Sequence, residues 1–523
     1  MKVPPGVSPA DFSEALKQFE DVVGKEWVFT SDDDVDLYRD SYSPVWSEKE
    51  EPIPAAAVAP DGVEQVQAII RIANKHNIPL WTISTGKNLG YGGSAPLLGG
   101  SVVLDLKRMN RVLEVNDKNH YALLEPGVSY FDLYRYIQDH KLKVWIDPPD
   151  PGWGSPVGNS LERGGGYTPM HDHFDAVCGM EVVLPNGEVM RTGMGALPGS
   201  ETWQQYKYGF GPYVNGIFSQ SSLGVVTKMG IWLFPEPEAY VSGTVIVWKR
   251  DDLIPLVNVF AELVSSGTFR GTVVLASPLW FGPPDAELDP LRISGSVKDL
   301  EEYGARKRIP FWSLPLYLYG PTEVVAAQWE HIKEKFSSIS GVAFQEGPSY
   351  RFPLSGDELA KIRDTVPLGV PSLQIFSLLP PRSQGHIGFS PIIPMSGEAL
   401  IEALTVFEGV HRELGAGRAV LTILSSFPRA FVIIDLFPVE RDVEKNRKMR
   451  EIYRRLVKEA AAHGWGEYRT HTTFMGDISN TYSFNNHALR RFHETIKDAV
   501  DPNGILSPGK CGIWPKRMRK AEA

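Results

Sequence analysis

Cysteine is nearly absent: Cys178 and Cys511 are the only two thiols in 523 residues. Two thiols build neither a disulfide framework nor a thiolate zinc site by themselves, which points to a reducing compartment. No apolar run approaches the ~20 residues that span a bilayer. The opening stretch, MKVPPGVSPADFSEAL, lacks the charged-then-apolar order of a secretory signal. Positive charge is also short. Lys and Arg total 53 against 63 Asp and Glu, a net of −10, so nothing marks a nucleic-acid or anionic-membrane partner. Internal repeats and low-complexity segments are missing. What is present is ordinary: 42% hydrophobic and 22% charged residues exclude long disorder and fibrous repeats. At ~100–200 residues per domain, the length predicts more than one core. The expected class is a soluble, cytoplasmic, multi-domain enzyme.

Element signals support that division. Ser8 as N-cap, Pro9 in the first turn and Phe12, Leu16 and Phe19 at helical spacing predict an opening helix. Asp61-Gly-Val-Glu64 reads as a capping-box-like start for a second helix burying Val63, Val66, Ile70 and Ala73. Strands follow at 78–85, 101–106 and 121–127, then a helix over roughly 129–140. This strand–loop–strand order differs from the strand–loop–helix of a dinucleotide-binding Rossmann unit. PEPEAY, near 236, marks a boundary. Beyond it strands at 242–249, 271–277, 311–319, 386–394 and 431–437 alternate with amphipathic helices, including one carrying Val325, Trp329, Ile332 and Phe336. That alternation predicts α+β architecture with helices on one face of an antiparallel sheet. The final glycine- and proline-rich tail is expected to dock back on the first core.

Glycine is clustered, at 86, 90, 92 and 93 and again between 152 and 166. Such backbone turns sharply or approaches a ligand closely. STGKNLGYGGSAP (84–96) can offer successive N–H groups to an anion, although it lacks the ending of a Walker A loop. His171-Asp172-His173 resembles metal-ligand spacing but has no convincing third ligand, so no metal is expected. A Gly-x-Ser-x-Gly elbow is absent, which argues against a serine hydrolase.

Several long blocks carry a resemblance. STGKNLGYGG, SVVLDLKRMNRVLEVN, ALLEPGVSYFDL, GNSLERGGGYTP, EVVLPNGEVMRTGMGALPGS, YGFGPYVNGIFSQSSLGVVTKMGIWL, GWGEYRTH and DPNGILSPGK run in order along nearly the whole chain. Together they resemble the vanillyl-alcohol oxidase and p-cresol methylhydroxylase family, in particular its bacterial 4-phenol oxidases of the eugenol oxidase type. The resemblance implies an α+β, two-domain flavoprotein: a discontinuous PCMH-type FAD-binding domain and an α+β cap with an antiparallel sheet. The implied partition is 1–236 for the first part of the FAD domain, 237–466 for the cap and 467–523 for the returning segment.

Site residues follow from the matched blocks. Ser84, Thr85, Gly86, Lys87, Asn88, Gly90, Tyr91 and Gly92 fall in the family's pyrophosphate loop. Pro149, Ser155, Asn159, Glu162, Arg163, Gly164, Val226 and Lys510 fall in segments that wrap the cofactor. His386, in GHIGFSP, falls where covalent members attach FAD through the imidazole. Tyr91, Tyr468 and Arg469 match the phenolate-binding triad, and two hydroxyl donors with a permanent cation do stabilise a phenolate. Asp150 matches the active-site carboxylate, with Asp147 beside it read as a turn former and Tyr167 as a further pocket contact.

The implied reaction is FAD-dependent oxidation of para-substituted phenols, namely 4-hydroxybenzyl alcohols and 4-alkyl- or 4-allylphenols, through a p-quinone methide. Dioxygen would be reduced to hydrogen peroxide; the alternative is a cytochrome-linked 4-alkylphenol dehydrogenase. The implied partners are a small phenol, dioxygen and further copies of the chain in a homodimer or larger homo-oligomer. Departures from the family pattern matter too. The first histidine is His76, so the early histidine that assists flavin attachment in some members has no counterpart. Where relatives carry Met-His-His, this chain reads LTILSSFPRAFVI, and small Ser425 and Ser426 predict a pocket tolerant of bulky ring substituents.

Overall fold

The computed structural model describes residues 2–280, 285–378, 384–416 and 421–519. The opening helix runs Pro9–Val23, with the Ser8 side chain accepting from the Asp11 N–H as expected. It buries Phe12, Leu16 and Phe19 against helix Val63–His76, which contributes Val66, Ile69, Ile70 and Ala73. The second helix starts differently from the reading. Gly62 is its N-cap and has no side chain to form a capping box. Asp61 instead pairs with Arg108 at 3.0 Å.

These helices cover a four-stranded sheet in the order Val28–Phe29, Ala56–Val58, Val102–Asp105, Leu80–Ile83. The last three strands run parallel. Alongside stands a five-stranded antiparallel sheet: Val112–Asn116, Tyr121–Leu124, Val225–Trp232, Val177–Val183 and Val189–Arg191. Helix Tyr130–Asp139, closed by a Ser129–Asp132 capping box, packs Leu133 and Ile137 into its core.

Beyond residue 238 the chain builds two antiparallel sheets. The first places Ala239–Val247 between Trp312–Gly320 and Ala343–Arg351. The second runs Val274–Leu275, Leu421–Phe427, Ala430–Val439, Gly385–Phe389, with Ile392–Pro394 also on the long strand. Helices Leu253–Ser265, Thr322–Phe336, Gly397–Glu413 and Val443–Ala462 bury Phe260, Phe336, Phe407 and Tyr453 against them. Strand Ala343–Arg351 was not legible in the sequence. It is a largely exposed edge strand with Gly347 and Pro348 at its centre, where neither alternation nor β-propensity survives.

The tail does return to the first core. Leu80 N–H bonds to Ile505 O at 2.7 Å and Ser507 N–H to Leu80 O at 2.7 Å, so 505–507 extend the parallel sheet. Lys497 fixes this junction. It is fully buried, and its Nζ donates to Ser222 O (2.8 Å), Leu506 O (2.6 Å) and Asp501 Oδ2 (2.7 Å). Asp501 in turn accepts from the N–H groups of Ile505 and Leu506. All three ammonium hydrogens are used, which is how a charge survives with no water. Lys497→Met strands the Asp501 carboxylate, and chemical denaturation is expected to show a loss of about 3–5 kcal/mol.

Candidate active site

A cleft of about 1190 Å³, counted out to its open mouth, lies between the first sheet, the short helix Pro156–Leu161 and the C-terminal tail. Its upper wall is the loop after strand Leu80–Ile83. Gly86 and Gly92 there have φ of +68° and +111°, and a Cβ on either would fall 2.3 Å from Ser94 Oγ or 2.6 Å from Thr472 Cγ2. Only glycine permits both the conformation and the approach. Ser84, Thr85, Lys87, Asn88 and Tyr91 from this loop line the cleft with the two glycines.

From the opposite side come Ser155, Asn159 and Glu162. Ser155 caps the short helix and donates to Pro126 O at 2.6 Å. Val226 and Lys510 complete the lining. Lys510 Nζ meets Glu162 Oε1 at 2.5 Å; burial works against the ammonium, but the Glu162 charge and hydrogen bond together with Cys511 outweigh it and raise the lysine's pKa. Five residues expected to hold the cofactor lie outside the lining, His386 among them, and so do Asp150, Tyr167, Tyr468, Ser425 and Ser426. Gly164 backs Asn159, Arg163 turns outward to Ser219, Pro149 is buried next to Asp150, and Gly90 faces His386.

The chain brings Tyr91, Tyr468 and Arg469 together across 378 residues of sequence. The Arg469 guanidinium stacks on the Tyr91 ring at 3.9 Å and donates to Asn88 Oδ1 at 2.5 Å, and its buried Nε has no protein partner. Burial, then the Tyr91 hydroxyl, raise the Tyr468 pKa far above the ordinary phenol value, while Arg469 pulls it down. Tyr468 therefore stays a hydroxyl donor. Its backbone is fixed by Gln220 Nε2 donating to its carbonyl at 2.8 Å, and Phe427 packs edge-on to its ring. Beside it Tyr167 is likewise kept protonated by burial, with Asp150 and Asp364 adding to the effect.

Asp150 sits under the cap. Gly152 N–H bonds to Ser372 O at 2.9 Å, Trp153 packs on Phe376, and the Ile375 N–H reaches the Asp150 carboxylate. Burial and the charge of Asp364 push Asp150 up to about 6, against the pull of that N–H. Asp364 was missed in the sequence because Lys-Ile-Arg-Asp-Thr carries no motif; only the folded chain sets it near Asp150. Asp147 corrects the sequence reading. It is no turn former but a buried group whose Oδ1 accepts from the Thr168 N–H at 2.8 Å.

His386 lies on a cap strand yet reaches the glycine loop, its carbonyl 3.0 Å from where a Gly90 Cβ would stand. Burial lowers its pKa, which keeps the imidazole neutral, and its buried Nδ1 has no partner. Ser425 and Ser426 are buried at a β-bulge. Ser426 touches Thr272 and accepts from His171, so it supports the Tyr167 segment from behind. Two further struts were unread in the sequence. His471 Nε2 donates to Asp40 Oδ2 at 2.7 Å, two residues beyond Arg469. Glu467, whose pKa burial raises strongly, accepts from Ser390 N–H and Tyr453.

Known proteins resemble this chain over nearly its whole length. Residues 54–193 match an FAD binding domain and 431–511 the C-terminal domain of FAD linked oxidases. The flavoprotein subunit of 4-cresol dehydrogenase (hydroxylating) from Pseudomonas putida is 35% identical, covering 98% of this chain and 97% of its own. A substrate-bound crystal structure of p-cresol methylhydroxylase superposes with a TM-score of 0.88 at 34% identity, over 98% of this chain and 99% of that one. The 4-ethylphenol oxidase of Gulosibacter chungangensis, in complex with isoeugenol, gives 0.87 at 34% identity, over 99% and 100%.

The cleft fits FAD. Its glycine loop permits close backbone approach to a pyrophosphate, and Arg469 Nε and His386 Nδ1 are buried polar atoms without protein partners. The chain is a flavin oxidoreductase and belongs to the vanillyl-alcohol oxidase/p-cresol methylhydroxylase family.

Proposed function

We propose that this protein oxidises para-substituted phenols at the Cα position, with dioxygen as electron acceptor. The convergence of Arg469, Tyr91 and Tyr468 carries this reading: the guanidinium stacks on the Tyr91 ring and its charge acts on the Tyr468 hydroxyl. When bound, FAD supplies the two-electron acceptor. Ser84–Gly92, Asn159, Glu162 and Lys510 would hold it, and neutral His386 is the residue to which it would be covalently attached.

The chain's own residues perform the remaining work. Arg469 and the two hydroxyls stabilise the substrate as a phenolate, which lowers its pKa and pushes electron density toward the para carbon. Hydride departure from Cα then leaves a neutral p-quinone methide. Asp150, ionised, takes a proton from the water that adds to Cα, and Tyr167 closes the pocket beside it. For a 4-hydroxybenzyl alcohol the same carboxylate accepts the alcohol proton as the carbonyl product forms.

The test is peroxide release under air with vanillyl alcohol or a 4-alkylguaiacol and no added acceptor. One mole per mole of phenol is expected; turnover only with an added cytochrome or dye supports the dehydrogenase alternative that the Pseudomonas relative favours. The double variant Tyr91→Phe/Tyr468→Phe keeps its yellow colour and loses turnover; unchanged activity refutes the phenolate assignment.

The pH profile follows from Asp150. Its carboxyl titrates at about 6 and must be ionised to act as base, so kcat/KM should rise as pH climbs through that value. Asp364→Asn removes the neighbouring charge and should move the midpoint lower, with Asp150→Asn flattening the limb. Ser425 and Ser426 add a specificity expectation. With small side chains behind Tyr167, kcat/KM for a 4-alkylsyringol should stay within about tenfold of its guaiacol analogue. A larger drop refutes the open pocket.

A further inference from the structure

Behind the wall of the cleft lies a buried pair that the proposed chemistry does not use directly. Asp147 is 8% exposed and His173 4%. His173 Nε2 is 2.8 Å from the Asp147 carbonyl oxygen and 3.2 Å from its Oδ2. Both of those oxygens only accept, so Nε2 carries a hydrogen. On the other edge of the ring, the bare Nδ1 accepts from the Tyr130 hydroxyl at 3.2 Å and lies 2.6 Å from the Asn159 side-chain amide, which bonds to it with its NH2 turned to the ring. Asn159 lines the cleft.

The pair also reaches toward the substrate side. Asp147 Oδ1 accepts from the Thr168 N–H at 2.8 Å, one residue past Tyr167. Gly166 lies so close to that carboxylate that a Cβ there would be 2.3 Å from Cγ. The His173 N–H bonds to Gly164 O at 3.2 Å, so the whole segment 164–168 wraps this one pair. We propose that Asp147 and His173 are positioning residues that hold Asn159 on the cofactor side and Tyr167 on the substrate side in one fixed register. The inference rests on the phenol-oxidising reading only for the role of Tyr167; the grip on Asn159 is independent of it.

The test uses Asp147→Asn, His173→Gln and the double variant as purified holoenzymes. Stopped-flow bleaching of the flavin by a 4-alkylguaiacol without air should slow by about 10–100-fold per bound flavin, with KM little changed, as when other supporting-layer partners are removed. The double variant should be no slower than the slower single, because both substitutions break one unit. The visible flavin spectrum should shift in both singles with no substrate present. Normal bleaching rates and an unshifted spectrum, with only a lower Tm, overturn the proposal; so do additive losses. Should the wild type fail to bleach with any phenol, the phenol-oxidising reading falls while the spectral shift still decides the grip on Asn159.

Discussion

A buried lysine closes this molecule. The flavin-binding half is assembled from segments hundreds of residues apart, and hydrogen bonds from Lys497 join two of them: the turn at Ser222 and the C-terminal stretch that holds Asp501 and Leu506. Ser222 and Leu506 both line the cleft. One ammonium group, its every hydrogen spoken for, therefore ties two points of that lining together. An ion pair with no exposed surface adds little net stability over an apolar contact of equal volume, but it tolerates far fewer geometries. Here that selectivity acts on backbone carbonyls, the groups a nucleotide site needs held still.

The side proposed to take the phenol is organised by charge rather than by shape. A cation lies over one tyrosine and near a second, a carboxylate stands opposite, and another carboxylate raises the first by repulsion. Burial makes each effect large, because a phenol or acid that loses water clings to its proton. The outcome is a division of labour by environment: Tyr468 and Tyr167 remain hydroxyls while Asp150 titrates near neutrality. The cap contributes through the Ile375 N–H and the charge of Asp364, so the acid senses both halves of the protein.

The sequence was most legible where chemistry demanded a rare local conformation. Gly86 and Gly92 announced the loop because no other residue fits their φ and spacing, and the helix beginning at Pro9 declared itself through its cap. Motif order brought Tyr91 to Arg469 on paper, although nothing local says they meet. The unread features share a different character. Lys497, Glu467 and Asp364 are charged residues in segments with ordinary surface periodicity, and their burial arises from distant packing. Asp147 was misread for the same reason: an Asp beside Pro suggests a turn until His173, 26 residues later, folds against it. The edge strand at 343–351 failed because neither of its faces is buried, which removes the alternation that strands are read by.

The contact between Gly90 and the His386 strand carries one more implication. Gly90 belongs to a loop rooted in the first core, and His386 to a sheet built into the second. A ligand gripped by that loop and touching that histidine spans both cores at once. Each core then unfolds at the expense of the ligand contacts of the other, so melting becomes a single joint event whose midpoint tracks cofactor occupancy. The ligand thereby adds to ties that already cross between the halves, such as Arg450 to Glu48 at 2.7 Å.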